Sequence, residues 1–388
     1  MTSIRTGRLR TVLLGVAAAL LAFTPVYWTN AVAESPGTAP DRTDGQSAVR
    51  QNPLRKAWKL DKGISDIPVS FTVRNINRTK AACPVDGRTY TVRGHLTAPT
   101  RLLEGKGTDK AVTLYQHGIA SGEWYWRLQA DGYHHAEELA ARGHASLTID
   151  RIGYDSSGTP DGFATCVGGQ ADITHQIVQQ LRKGTYRSGD AKGGANDSAK
   201  GGGRAATSFG KVFLAGQSNG GQIAQIAAYS FRDIDGLVLM DWADRGLTPQ
   251  TNARFFSSLQ SCLRGGTEGY VHYDLGPAEF RSGNFHDTDP DVLDLAVPHQ
   301  NRHPCGDMVS QISSVLVDLR ELRTITVPVL LMYGEKDTRV QGGEEHRALF
   351  TGAENTRLVN IPKAGHYMGM ARQAPLIHET LADWLDAR

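Results

Sequence analysis

The chain predicts an α/β protein built on a mainly parallel, doubly wound sheet with a cap insertion between core strands. From about residue 111 onward, short continuous runs of Val, Leu and Ile alternate with helix-length amphipathic segments. Runs of that kind mark strands buried on both faces. Several end in glycine just before a polar, helix-starting stretch, as strand-to-helix turns do. At 388 residues and 40% hydrophobic, the chain can bury one large core and still carry an insertion.

The elements follow in order. Arg5, Arg8 and Arg10 precede the apolar run "TVLLGVAAALLAFTPVYW" (11–28), and "AVA" (31–33) gives a small-x-small pattern before Glu34. This reads as a secretory signal peptide over residues 1–33, cleaved at Ala33; the alternative is an uncleaved membrane anchor. Residues 34–60 are rich in Ser, Pro, Gly, Thr and Asp and read as a flexible segment. The folded domain is expected over 61–388. "VSFTVRNI" (69–76) and "RTYTVRGHLTAP" (88–99) alternate as antiparallel strands do. "AVTLYQHG" (111–118) is a buried strand and "YHHAEELAARG" (133–143) a helix closed by glycine. The strand "HASLTIDRIG" (144–153) leads to the helix "GGQADITHQIVQQLRKG" (168–184). A Gly-rich, low-complexity run spans 187–208. Then come the strand "KVFLAG" (211–216), a helix over 219–231, and the strand "IDGLVLMDWAD" (234–244). "VPVLLMYGEKD" (327–337) and "TRLVNIPKAGH" (356–366) carry the last strands, and "PLIHETLADWLDA" (375–387) the last helix. Residues 246–323 interrupt this alternation with an aromatic-containing insertion, expected as a cap over the strand ends where ligands bind.

Composition removes some function classes. Lys+Arg 42 against Asp+Glu 40 leaves a net charge of +2, which gives no reason to expect nucleic acid as a partner. Four cysteines in an exported chain point to two disulfides. Of the three connectivities, Cys83–Cys166 with Cys262–Cys305 is preferred, because the second pair falls inside the insertion. None has C-x-x-C metal spacing.

The chemistry centres on "FLAGQSNGGQIAQ" (213–225), where Gly216-Gln217-Ser218-Asn219-Gly220 matches G-x-S-x-G. With 43 glycines such a match arises by chance in roughly one chain in four of this composition, so its context decides. Ser218 falls directly after a predicted strand and before a predicted helix, the place for a nucleophile on a strained turn. A serine hydroxyl needs a base, and the base needs an orienting acid. His366 in "NIPKAGHYMGM" is the base candidate. Asp337 in "LLMYGEKDTRV" is the acid candidate, with Glu335, Asp241 and Asp244 as alternatives. His117 reads as structural, His378 lies within the last helix, and His134-His135 have no carboxylate spacing for zinc.

With its chain order Ser218, Asp337, His366, the sequence resembles the α/β-hydrolase family from about Val69 to its C-terminus. The resemblance rests on "GQSNGG", "GEKD", "AGH" and an "HG" after the first parallel strand. It implies an oxyanion hole made by the backbone N–H groups of Ile119, after His117-Gly118, and Asn219. It also matches "DRIGYDSSG" (150–158) to a family loop, with Asp155 where glycine is common. Trp124, Tyr367 and Met368 are expected to touch substrate.

The expected activity is that of a secreted serine hydrolase acting on a small-molecule or lipid-like ester, with no metal or organic cofactor and no stable membrane insertion after signal cleavage. The same triad serves thioesterases, lactonases, amidases, peptidases and acyltransferases. A non-catalytic ligand-binding protein on the same scaffold is the alternative of another class.

Overall fold

A computed structural model of the chain describes residues 59–104, 110–189 and 206–388. The expected leader, nearly all of the 34–60 segment and the middle of the 187–208 run lie outside the described residues.

Nine described strands form one sheet: β1 (Ile64–Arg74), β2 (Thr89–Pro99), β3 (Ala111–Gln116), β4 (Ala145–Asp150), β5 (Arg187–Ser188), β6 (Lys211–Gln217), β7 (Gly236–Met240), and, beyond the insertion, β10 (Val329–Gly334) and β11 (Thr356–Ile361). The insertion's own β8 (Tyr270–His272) and β9 (Arg302–Pro304) pair with each other. The spatial order is β11-β10-β7-β6-β3-β4-β2-β1-β5. β4, β3, β6, β7, β10 and β11 run parallel, and β2, β1 and β5 add an antiparallel flank. The parallel strands other than β11 are buried almost end to end, as their unbroken apolar runs require. β11, at the sheet edge, is mostly half-exposed. β1 starts at Ile64, before the expected Val69; its first half, with Asp66 and Pro68, carries no alternating pattern to read.

Successive strand residues face opposite sides of the sheet, and the core splits accordingly. Leu114 and Leu214 join one cluster, with the helices Val167–Lys183 and Asn219–Phe231. Tyr115, Phe213 and Ala215 join the other, with the helices His135–Ala141 and Ala374–Asp386. From β3 the chain first builds β4 on one side, then crosses to β6 on the other. The crevice at the carboxyl ends of β3 and β6 is therefore the topological switch point, where sheets of this kind bind ligands.

The 246–323 insertion holds the helices Pro249–Leu263, Pro277–Asn284, Pro290–Ala296 and Cys305–Glu321 beside the β8–β9 pair. Cys262–Cys305 staples its first helix to its last across 43 residues, and Cys83–Cys166 ties the β1–β2 loop to the start of the Val167–Lys183 helix. Both pairings are the expected ones. Closing a loop of the insertion's size contributes about 4 kcal/mol in the chain-entropy account. The insertion's last helix also docks on the Asn219–Phe231 helix through Asp318, whose two oxygens accept from Gln222 Nε2 (3.0 Å) and Tyr229 Oη (2.8 Å). Among the described residues no helix is long and apolar enough to cross a membrane.

His378 is fully buried in the last helix, its ring 5.0 Å from that of His135. Neither of its ring nitrogens has a hydrogen bond among the described residues, although the Glu138 carboxylate stands 4.0 Å away. Burial, aided by the charge of Arg142, pushes the imidazole pKa down to about 3. The folded state therefore holds this ring neutral, while the unfolded chain protonates it below about pH 6.5. Its contribution to stability is lost as pH falls through that value. Replacing His378 with Leu should shift relative stability toward the variant by on the order of 2 kcal/mol between pH 7 and pH 5, read from urea unfolding at each pH.

Candidate active site

β6 ends at Gln217 and the next helix starts at Asn219, leaving Ser218 alone in the turn with φ 54° and ψ −129°. That left-handed conformation is costly for a residue with a side chain and persists only where the surroundings enforce it. Two glycines do the enforcing. A Cβ on Gly216 would lie 2.2 Å from the Gly220 carbonyl oxygen, and one on Gly220 would lie 2.3 Å from that of Gln116. Ser218 N–H donates to the Met240 carbonyl at 2.8 Å, which pins the turn to β7.

The loops after β10 and β11 bring the partners. His366 Nε2 lies 2.9 Å from Ser218 Oγ, and His366 Nδ1 lies 2.8 Å from Asp337 Oδ2. Asp337 Oδ1 accepts the backbone N–H groups of Arg339 (2.7 Å) and Val340 (3.1 Å), so the carboxylate is held at both oxygens. With Nδ1–H donated to Asp337, Nε2 is left as the acceptor for the serine proton. Gln217 Nε2 donates to the His366 carbonyl at 2.9 Å and joins the histidine loop to the turn. Asp337 and His366 are buried, whereas Ser218 keeps partial exposure.

The alternative acids have other partners. Glu335 sits on the surface, accepting from Lys363 N–H and pairing with Lys336. Asp244 is buried against Gln225 and Trp242. Asp241 is the informative one. It directly follows β7 with φ 50° and accepts Gly334 N–H at 2.9 Å. Asp241, Asp337 and His366 each bring a ligand-type atom within 4.8 Å of the others. The geometry would suit a metal only if His366 Nδ1 and Asp337 Oδ2 were free, and they are spent on each other. Burial first, then the charge of Asp337, raises the Asp241 carboxyl well above its usual range. Both causes favour the neutral form of Asp241 over its charged form.

Ile119 and Asn219 both line the cavity beside Ser218, and among the described residues neither N–H has a hydrogen-bond partner. The Gly118–Ile119 peptide is clamped from behind. Its carbonyl oxygen contacts His117 Nδ1 (2.8 Å), Arg151 Nη2 (3.3 Å) and Ser121 Oγ (3.4 Å). No peptide bond described is cis, so that carbonyl and Ile119 N–H point in opposite directions. Arg151 was invisible as a site residue in the sequence. It is buried, also donates to Tyr154 Oη at 3.1 Å, and pairs with Asp307 of the insertion at 3.1 Å. Asp155 adopts φ 32° where glycine is common, and its carboxylate accepts from Asn301 Nδ2 at 2.7 Å. The unexpected aspartate therefore keeps the turn and gains a contact with the insertion.

The insertion does cover the turn. Thr251, Phe255, Tyr273, Asp274, Asn284 and Gln311 of the insertion line a narrow cavity of about 40 Å³ over Ser218. Tyr367 lines it too, as expected. Met368 does not: a short 3-10 turn at Met368–Met370 rotates it into the core, fully buried. Trp124 is also outside the lining, stacked against His299 and tilted toward Tyr367. Adjacency in sequence was the only basis for those two, and the 3-10 turns after Gly122 and Tyr367 redirect the chain.

A family model described as the alpha/beta hydrolase family matches residues 114–378. Among solved structures, the chain is similar to a thermophilic esterase from Thermogutta terrifontis, with malate bound, at 20% identity and TM-score 0.54, covering 82% of this chain and 98% of that one. It is also similar to the alpha/beta hydrolase GrgF from Penicillium sp. sh18, at 17% identity and TM-score 0.53, covering 84% and 98%. A third likeness is Rv0554 from Mycobacterium tuberculosis, at 17% identity and TM-score 0.53, covering 79% and 97%. At these identities the likeness is one of fold. No curated protein matches the sequence.

The clamp on the Gly118 carbonyl has a measurable consequence. If the Ile119 N–H holds an oxyanion, Arg151→Met should lower turnover about 10- to 100-fold with a much smaller change in KM, because a loosened peptide weakens that donor. Steady-state kinetics on an activated ester reads both parameters.

Proposed function

The chain belongs to the alpha/beta hydrolase family, and from that premise we propose that it is a serine hydrolase cleaving a carboxylic ester through an acyl-enzyme. The observation that carries this reading is the unbroken line from Asp337 through His366 to Ser218, at 2.8 and 2.9 Å, opening on a covered cavity.

In this reading Ser218 Oγ attacks the ester carbonyl while His366 Nε2 takes its proton. The carbonyl oxygen becomes an oxyanion, held by the N–H groups of Ile119 and Asn219. Collapse of the tetrahedral intermediate breaks the bond to the alcohol oxygen, and His366 returns the proton to that leaving group. Water then enters, gives a proton to His366 and attacks the acyl carbon. The second tetrahedral intermediate releases the carboxylic acid, and Ser218 recovers its proton. Asp337 holds the imidazole tautomer and stabilises its charged form throughout; it does not take the proton.

The reading also takes the enzyme to be exported. Two disulfides and no free cysteine among the described residues suit an oxidising compartment, and the leader pattern at 1–33 supplies a route there.

Two measurements test this directly. A fluorophosphonate probe should label the wild type and leave Ser218→Ala unlabelled, and Asp337→Asn should lose about 10⁴-fold in turnover; equal labelling of wild type and Ser218→Ala would remove the serine reading. Separately, N-terminal sequencing of protein recovered from the culture medium of a secreting host should begin at Glu34, and an intact Met1 in a membrane fraction would contradict export with cleavage.

A further inference from the structure

The exposed apolar surface of the chain is concentrated on its insertion. Among the described residues eight large apolar side chains are exposed, and five of them belong to two helices, the insertion's first (Pro249–Leu263) and its last (Cys305–Glu321). Leu263 and Leu316 are 72% and 67% exposed, and Phe256, Val309 and Ile312 about half. Scattered singly, such residues mean little; gathered on one surface they mark a contact.

The helical period gathers them. Phe256, Leu259 and Leu263 recur at i, i+3 and i+7, one stripe of the first helix, and Val309, Ile312 and Leu316 repeat that spacing on the last. The Cys262–Cys305 disulfide joins the end of the first helix to the start of the last. From that staple both helices run toward the cavity over Ser218, which Thr251 and Phe255 line from one and Gln311 from the other. The two therefore lie side by side and antiparallel, with Phe255, Cys262 and Met308 sharing the core cluster beneath them. Arg254 pairs with Glu279 at 2.9 Å, so its flank of the first helix faces the Pro277–Asn284 helix. Phe256 is about 200° further round, on the flank toward the last helix. The two stripes thus form one outward apolar strip, carried by the helices that roof the cavity.

Charge selects what covers the strip. The first helix contains no carboxylate, and exposed Arg264 follows its end. In the last helix Asp307 and Asp318 are buried, the first against Arg151 and the second against Gln222 and Tyr229. Glu321, at its end, pairs with Lys80 and Arg320, and exposed Arg323 lies just beyond. Arg320 is one turn past Leu316 on the same stripe. The strip therefore carries cations at both ends, Arg264 at one and Lys80, Arg320 and Arg323 at the other, against the carboxylates of Glu321 and Glu268. A second copy docking through this face would bring arginines against arginines in either direction. A layer of anionic headgroups over acyl chains matches both parts, with apolar side chains entering the headgroup boundary and guanidinium groups on phosphate.

We propose that the outer face of the insertion's first and last helices is a peripheral docking surface for an anionic lipid layer, which it holds one helix thickness from the cavity over Ser218. The docking is independent of the serine-hydrolase reading, since it needs no bond to be cleaved.

The test measures binding of the soluble chain, recovered from the culture medium of a secreting host, to vesicles of ether-linked lipids, which contain no ester. One set is diether phosphatidylcholine alone, and the other adds diether phosphatidylglycerol in equal part. The wild type should bind the mixed vesicles about tenfold or more tighter than the neutral ones. Replacing Ile312 and Leu316 together with Ser should weaken binding to the mixed vesicles by about tenfold or more; Phe256→Ser serves if that pair does not fold. Arg264→Gln with Arg320→Gln should bring the two vesicle types to within about threefold of each other. Leu376→Ser, an exposed apolar position on the last helix of the chain, should bind as the wild type does. Absence of binding, equal affinity of the wild type for both vesicle types, or binding that survives the serine substitutions on the strip overturns the proposal. Sedimentation that shows a dimer lost in those same variants, with no vesicle binding, assigns the face to a second copy and overturns it too. Fluorophosphonate labelling of Ser218 is scored separately, so loss of docking and loss of the serine reading are distinguishable.

Discussion

A single backbone conformation organises this molecule. Ser218 is held at φ 54° in the one-residue gap between β6 and the helix that follows. The approach is so close that a Cβ at Gly216 would collide with the Gly220 carbonyl and one at Gly220 with the Gln116 carbonyl. The strain of that turn is offset by the parallel sheet beneath it, where β6 lies between β3 and β7. Everything near the turn is positioned relative to it. The β3 loop supplies a clamped peptide, the loops after β10 and β11 supply Asp337 and His366, and the side chain of Gln217 ties the last of these back to the turn.

Much of this was legible in the sequence. The elbow was readable because its requirement is local: a strand, two glycines around x-Ser-x, and a helix. The acid and base were readable because each follows a strand end, and strand ends of a parallel sheet meet at one edge. The two disulfides followed from an even cysteine count and from one pair lying inside the insertion. What stayed hidden depends on long-range side-chain pairing. Nothing near Arg151 in sequence announces that it will reach Asp307, 156 positions away, or the Gly118 carbonyl. Asp241 was weighed only as a rival acid, because its place beside Asp337 depends on the packing of β7 against β10. Trp124 and Met368 lie outside the cavity lining because neighbours of a site residue in sequence need not face the same way: Trp124 sits inside one short 3-10 turn and Met368 opens another.

The insertion is bound into the core by polar contacts as well as by its disulfide. Arg151–Asp307 and Arg339–Asp274 are buried ion pairs, each with one member on the insertion. Removing one partner of such a pair typically costs about 3–5 kcal/mol, because the other charge is left buried alone. Asp318 adds hydrogen bonds to Gln222 and Tyr229 on the helix that begins beside Ser218. The apolar walls of Phe255 and Tyr273 and the side chain of Gln311 therefore stand at fixed positions over the serine rather than on a loosely tethered flap.

Arg151 gives that attachment a thermodynamic reading. Its Nη2 holds the peptide whose N–H is proposed to meet the oxyanion, and its Nη1 holds a carboxylate carried by the insertion. The ordering of the hole and the seating of the cover are thus linked equilibria, and linkage is reciprocal: whatever stabilises one stabilises the other by the same free energy. Whatever loosens the insertion at Asp307 thus also loosens the peptide behind the Ile119 N–H, and whatever holds that peptide in place helps hold the insertion.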